Sequence, residues 1–367
     1  MKKFLCLFVF FLLTIFQVLA YTETEILPAQ YGIVLNTNYV DLDSNNFIQT
    51  KQVLDIKLLS GIFKGKIVTV ENMLTGNPYY DLKLKKGTRV VLHIEKLNGD
   101  YIFSIQDIKR SNTLLLLSFI FCAILIYVGK RKGVYSLISI IITCILIYNL
   151  LTPMVLKGIN PVLATSLICV LSTTITMYFV GGFNRKSSAA TIGCTLSFIL
   201  AALLAFISSK TASLTGFTSE YSSHLFSIHP ELDFLSITIS TIILATLGAV
   251  MDVAMSIAST VNEIFTIDKT KTVKDLFNSG MNVGRDIIGT MANTLILVYL
   301  GTSLPLLLLA SNIDFIKFIN LNQVVTEILS ALIGSCAIII CVPITAIVSA
   351  KLIKIAPCDY TFFKKVE

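Results

Sequence analysis

The chain has 367 residues, 54% of them hydrophobic and only 14% charged, with a formal net charge of +7. That balance excludes an ordinary soluble domain and points to several bilayer spans. The positive excess needs no nucleic acid, because residues 21–111 carry 11 basic and 10 acidic side chains and the surplus lies in loops flanking apolar runs.

The N-terminus opens with Lys2 and Lys3, an apolar run from Phe4 to Phe16, and Val18-Leu19-Ala20. Small residues at the end of such a run predict a secretory signal, residues 1–20, cleaved after Ala20. An uncleaved anchor helix is the alternative, and in both cases the following segment is exported. Residues 21–111 contain no cysteine, whereas the chain as a whole has eight. An exported segment without cysteine has no disulfide framework and must rely on its own core.

Residues 30–37, 50–59, 66–72, 88–96 and 101–108 alternate apolar and polar side chains, the pattern of strands. Gly61, Gly65, Gly76-Asn77-Pro78, Lys86-Gly87 and Asn98-Gly99-Asp100 supply turns, the last a hairpin signal. Five short strands in 21–111 predict a small, closed or nearly closed, OB-like barrel. Closure would remove exposed strand edges. Lys83, Lys85, Lys86 and Arg89, with Tyr79 and Tyr80 nearby, form either a patch for an anionic polymer or a solvated strand edge.

From residue 112 the character changes. Apolar runs at 112–129, 133–151, 161–181, 190–208, 235–258, 287–310 and 327–350 each approach the ~20 residues a span requires. The fold expected is therefore an α-helical polytopic membrane protein with about seven transmembrane helices, an exported β domain and a tail at 351–367. With 21–111 outside, the inner loops and tail hold Lys130, Arg131, Lys132, Arg185, Lys186, Lys269, Lys271, Lys274, Arg285, Lys351, Lys354, Lys364 and Lys365. The outer loops hold only Lys157, Lys210 and Lys317. The positive-inside rule then places the C-terminus in the cytoplasm. The outer loop 209–234 contains Glu220, His224, His229, Glu231 and Asp233, but their spacing matches no ligand motif, and no metal or cofactor is expected there.

The polar residues of two spans carry the functional reading. In 235–258, Gly248, Asp252, Ser256 and Ser259 recur at helical spacing, and Glu263 continues the stripe. Asp252 lies about 9 Å inside the apolar run, too deep for a short carboxylate to reach water. It must face protein, water or an ion, or take up a proton. In 287–310, Asp286, Thr290 and Asn293 share a face one position round from Arg285 and Gly289. Measured from the ends of the two apolar runs, Asn293 stands at about the depth of Asp252 and Asp286 about 10 Å away. Gly280 and Gly284, four apart, predict close approach of a neighbour. Gly301-Thr302-Ser303-Leu304-Pro305 predicts a helix break, because Pro305 removes a backbone donor. Asp252 paired with Arg285 as a structural lock is the alternative to a functional cluster.

The blocks GAVMDVAMSIAS, NVGRDIIGTMANTL and YLGTSLPLLLL resemble the YibE/F-like family of bacterial membrane proteins. LLSGIFKGKIVTVEN and LKKGTRVVL in the exported segment are similar to the family's pattern more loosely. The resemblance implies a multi-pass protein of the bacterial cytoplasmic membrane and no settled activity.

The function expected is transport or permeation of a small solute or ion through a polar path between helices 235–258 and 287–310. Asp252 would couple an ion or proton, with Ser256, Thr290 and Asn293 as neutral ligands and Arg285 and Asp286 as a gate. The partners expected are the lipid bilayer and the solute or ion, with an envelope protein or a second copy as further candidates. The alternative is a non-catalytic envelope scaffold or sensor whose exported domain binds a partner. No GxxxxGK[ST] loop for ATP and no His-x-x-x-His zinc pair occurs, and the one membrane-proximal aspartate pair, Asp252 and Asp286, is set aside as an intramembrane enzyme site on its expected separation in level of about 10 Å.

Overall fold

A computed structural model describes residues 27–41, 50–97 and 100–354, with the side chains of 27, 28, 41, 97 and 100 left aside. The expected leader, the Asn98-Gly99 step and the tail beyond residue 354 lie outside the described residues. The chain divides into two compact units, Met1–Phe121 and Cys122–Glu367.

The first unit is an antiparallel sheet of five strands, β1 (Leu27–Asp41), β2 (Thr50–Leu58), β3 (Ile67–Leu74), β4 (Arg89–Leu97) and β5 (Asp100–Ile108). Their order is β3-β2-β1-β4-β5, and β3 and β5 approach each other at the far edges, so the sheet curls into a nearly closed barrel. Alternation drives this. Leu54, Ile56 and Leu58 of β2 and Val90, Leu92 and Ile94 of β4 point inward at every second position and are fully buried. Register shifts at Val34/Asn36 and Val91/Leu92 are the bulges that let a small sheet bend.

Gln52 is buried in this core and fully bonded. It donates to the Leu84 carbonyl (2.6 Å) and the Tyr39 hydroxyl (3.0 Å) and accepts from Asn72 Nδ2 (3.1 Å) and Leu84 N (3.3 Å). One amide thereby ties the segment after β3 onto the barrel. Asp81 accepts from Thr75 N (2.7 Å) and Gly76 N (2.8 Å), closing the turn that precedes it.

The second unit is helical. The elements are α1 (Ser111–Ile145), a π-turn (Leu146–Leu151), α2 (Thr152–Leu156), α3 (Pro161–Gly181), α4 (Arg185–Thr211), α5 (Glu220–Ile228), α6 (Phe234–Ile267), α7 (Val273–Thr302), α8 (Leu304–Leu309), a 3-10 turn, α9 (Phe315–Ile319) and α10 (Asn322–Lys354). Six helical stretches among the described residues are long and apolar enough to cross a membrane: Ser111–Leu156, α3, α4, α6, α7 and α10.

The first of these, 46 residues long, combines two of the seven expected spans. Lys130 (φ 48°, ψ −129°) is not helical. A Cβ added to Gly133 would collide with the Leu125 carbonyl. Eight residues along a straight helix are separated by about 12 Å. The contact therefore means that the chain doubles back at Lys130, and the six helices carry seven apolar stretches.

α10 is the centre of the bundle and packs on α4, α6 and α7; α6 also touches α3, α4 and α7. Small residues permit these approaches. A Cβ on Gly193 of α4 would strike Thr345 of α10, and one on Gly284 of α7 would strike Val342 of α10. Ser139 and Thr143 of α1 pair with Thr176 (2.6 Å) and Ser172 (2.7 Å) of α3. A Ser or Thr hydroxyl within a helix can bond the carbonyl four residues before it. Ser166 and Thr174 do so, whereas Ser172 and Thr176 bridge helices.

A polar face on two adjacent helices

α6 and α7 are joined by the five-residue turn 268–272, so they run antiparallel. Two contacts set their relative height. A Cβ on Gly280 would lie 3.0 Å from Val261 Cγ2, and Gly334 of α10 contacts both Thr246 of α6 and Leu295 of α7. Both contacts give the same pairing of levels. Counting from either, Gly248 stands level with Asn293, Asp252 with Gly289, and Ser256 with Arg285. Each level combines a small or neutral residue on one helix with a larger polar one on the other.

This corrects the depth expected for Asn293, which is about 6 Å from the level of Asp252 at 1.5 Å per residue. Asp286 is about 4.5 Å from it rather than about 10 Å. The apolar runs misled because the helices outrun them: α6 continues to Ile267 and α7 begins at Val273.

The polar residues do not lie in the seam between the two helices. That seam is formed by apolar and small groups such as Val261 and Gly280. Gly248, Asp252, Ser256, Glu263, Arg285, Asp286, Gly289, Thr290 and Asn293 are all exposed on the outward faces. Arg285 donates to Asn282 Oδ1 on its own helix (3.1 Å). Among the described residues Asp252 has no hydrogen bond or ion pair, so a lock between Asp252 and Arg285 is not formed within one chain. Thr290 donates to the Ile287 carbonyl (3.0 Å).

Of the glycines expected to mark close packing or a helix break, Gly248, Gly289 and Gly301 would have nothing within 4 Å of an added Cβ. They sit on the open face, where no neighbour presses. Gly284 is the member of that set in contact, against Val342. The break around Pro305 is present. α7 ends at Thr302, Ser303 caps it, and α8 restarts with Pro305 in its first turn.

Sequence reasoning missed two features near this face. The thiols of Cys194 on α4 and Cys341 on α10 both reach the Val250 carbonyl (3.6 and 3.7 Å), two residues from Asp252. Three helices contribute, so no sequence spacing could reveal it. Glu327, half-buried on α10, lies near Tyr299 of α7. An acid at the first residue of an apolar run was the available signal.

The 209–234 segment is not an open loop, because it folds around α5. Ser219 and Ser222 form a capping box, and Phe217, Phe226 and Phe234 cluster with ring centroids 4.9–5.7 Å apart. His229 Nδ1 and Glu231 Oε1 are 2.9 Å apart. Its own backbone N–H and His229 hold the Glu231 carboxyl below its usual range. Among the described residues no three His, Cys, Asp or Glu side chains converge as a metal site. A mostly apolar cavity of about 470 Å³ lies nearby, lined by residues including Leu156, Thr165, Leu225, His229, Thr241 and Leu244.

Family models match nearly the whole described chain. The YibE/F family N-terminal domain matches residues 32–108, and the YibE/F-like protein model matches residues 117–355. No curated protein and no solved structure shows a significant match. A barrel of five strands followed by an apolar helical bundle, both recognised over these spans, places the chain in the YibE/F-like family.

Proposed function

We propose that the protein moves a small solute or an ion across a bilayer along the polar faces of α6 and α7, without acting as an enzyme. The observation that carries this reading is the run of three levels, Gly248/Asn293, Asp252/Gly289 and Ser256/Arg285, on spans that are otherwise apolar. A charge at the centre of a span costs about 3 kcal/mol on insertion scales, more than the ~1 kcal/mol an interhelical hydrogen bond returns. Retaining several such groups at successive heights is the expected chemistry of a hydrated path.

In this reading Asp252 couples the ion or proton, Ser256, Thr290 and Asn293 are neutral ligands, and Arg285 with Asp286 forms the gate nearest the α6–α7 turn. The β unit lies outside and the C-terminus inside, in a bacterial cytoplasmic membrane, as the distribution of Lys and Arg favours. Asp252→Asn is expected to abolish the protein's phenotype in cells at unchanged membrane abundance, checked by immunoblot of the membrane fraction. A variant that works normally removes Asp252 from the path.

A second reading rests on the β unit. Tyr79 and Tyr80 are exposed, edge to face at 4.8 Å, with Lys83, Lys85, Lys86 and Arg89 exposed nearby. Such a surface suits an anionic envelope partner, with the bundle as anchor. Deleting 21–111 while keeping 1–20 separates the two: activity retained by the bundle favours transport, and activity lost from a folded bundle favours the scaffold.

A further inference from the structure

We propose that the open polar face of α6 and α7 is closed by the same face of a second copy of this chain, so that the path is assembled from two copies. The inference deepens the transport reading but rests directly only on the helices lying in a membrane.

The outward faces of this bundle are of two kinds. α4 presents Ile192, Leu196, Ile199, Leu203 and Phe206 at steps of four, three, four and three, all exposed and all large and apolar. That is what a lipid-facing helix requires. The outward stripe of α6 is Thr241, Ala245, Gly248, Asp252 and Ser256, and α7 adds Arg285, Gly289, Thr290 and Asn293. Lipid cannot solvate that face, so protein or protein-bound water must cover it.

Charge identifies the cover. Residues 112–129, the other mostly unburied apolar helix among the described residues, contain no acidic or basic side chain and offer nothing to Asp252 or Arg285. A second copy brings both signs. A two-fold axis along the membrane normal keeps every residue at its own height and makes the contact self-complementary. Asp252 of one copy then stands level with Gly289 of the other and one turn, about 6 Å, from its Arg285. A guanidinium on its long stem spans that distance. Gly248 and Gly289, with nothing within 4 Å of an added Cβ, leave room for the two backbones to approach.

Thiol cross-linking with a short bis-maleimide in native membranes tests the proposal with the full chain. Ser256→Cys is expected to yield at least tenfold more covalent homodimer than the parent chain, whose own cysteines set the background. Leu203→Cys, on the lipid-facing stripe, is expected to stay at that background. Cross-linking of Ser256→Cys at the parental level, through Leu203→Cys instead, or into an adduct with a different protein overturns the proposal. A charge exchange supplies a second arm. Asp252→Arg and Arg285→Asp are each expected to lower the dimer fraction in mild detergent about tenfold, and the double variant to restore it. Single variants that melt like the parent and stay dimeric refute the pairing. These readouts are independent of transport: a dimer through this face with an inert Asp252→Asn phenotype would defeat the transport reading alone.

Discussion

Gly284 and Gly301 sit on the same helix and have opposite surroundings, which decides what a methyl group does at each. At Gly284 it meets Val342 of α10, and at Gly301 it meets open space. Gly284→Ala is expected to destabilise the bundle by about 1–3 kcal/mol through overpacking, and Gly301→Ala, helical and with room for a Cβ, to stabilise it by about 0.5 kcal/mol. Thermal unfolding in detergent checks both. Lys130 is the converse case, a side chain at φ 48°, where glycine is favoured. Lys130→Gly is expected to stabilise the α1 turn by about 1 kcal/mol, seen as a higher melting temperature. Small-xxx-small spacing predicted the approach at Gly280 and Gly284. It said nothing of which glycines face a neighbour, because that depends on helices distant in sequence.

At the scale of the elements, helix length set the register. Apolar runs mark the part of a helix suited to lipid, not its ends. α6 passes nine residues beyond Ala258 to Ile267, and α7 starts fourteen residues before Ile287. The strands were placed within a few residues because inward and outward positions alternate strictly in a half-buried sheet. The turn between α6 and α7 offers a pH test. The Thr270 hydroxyl and N–H and the nearby Lys271 hold the Asp268 carboxyl below its ordinary value. A depressed folded-state pKa gives stability that is present above the unfolded value and lost as pH falls through the folded one. Hydrogen exchange at the Thr270 amide is therefore expected to be slow near neutrality and to gain relative speed only in acid, below the usual carboxylate range. Asp268→Asn is expected to remove that pH dependence.

At the scale of the whole molecule, two compact units each carry their own core, one built on alternation and one on close helix packing. In the β unit Leu54→Ala is expected to cost about 2–5 kcal/mol, because Leu54 is fully enclosed. Protease sensitivity of the β unit within the full chain would report it. Composition and periodicity by themselves determined the membrane class, the barrel's strands and the stripe carrying Asp252, since each is a local pattern of polarity along one element. Only the tertiary structure decided which stripe points where. The contacts of Gly280 and Gly334 placed Asp252 beside Gly289 rather than Asn293, and the packing of α10 behind both helices turned their polar faces outward. Direction and level are properties of contacts between helices, and such contacts are set by packing between distant segments that no single run of residues encodes.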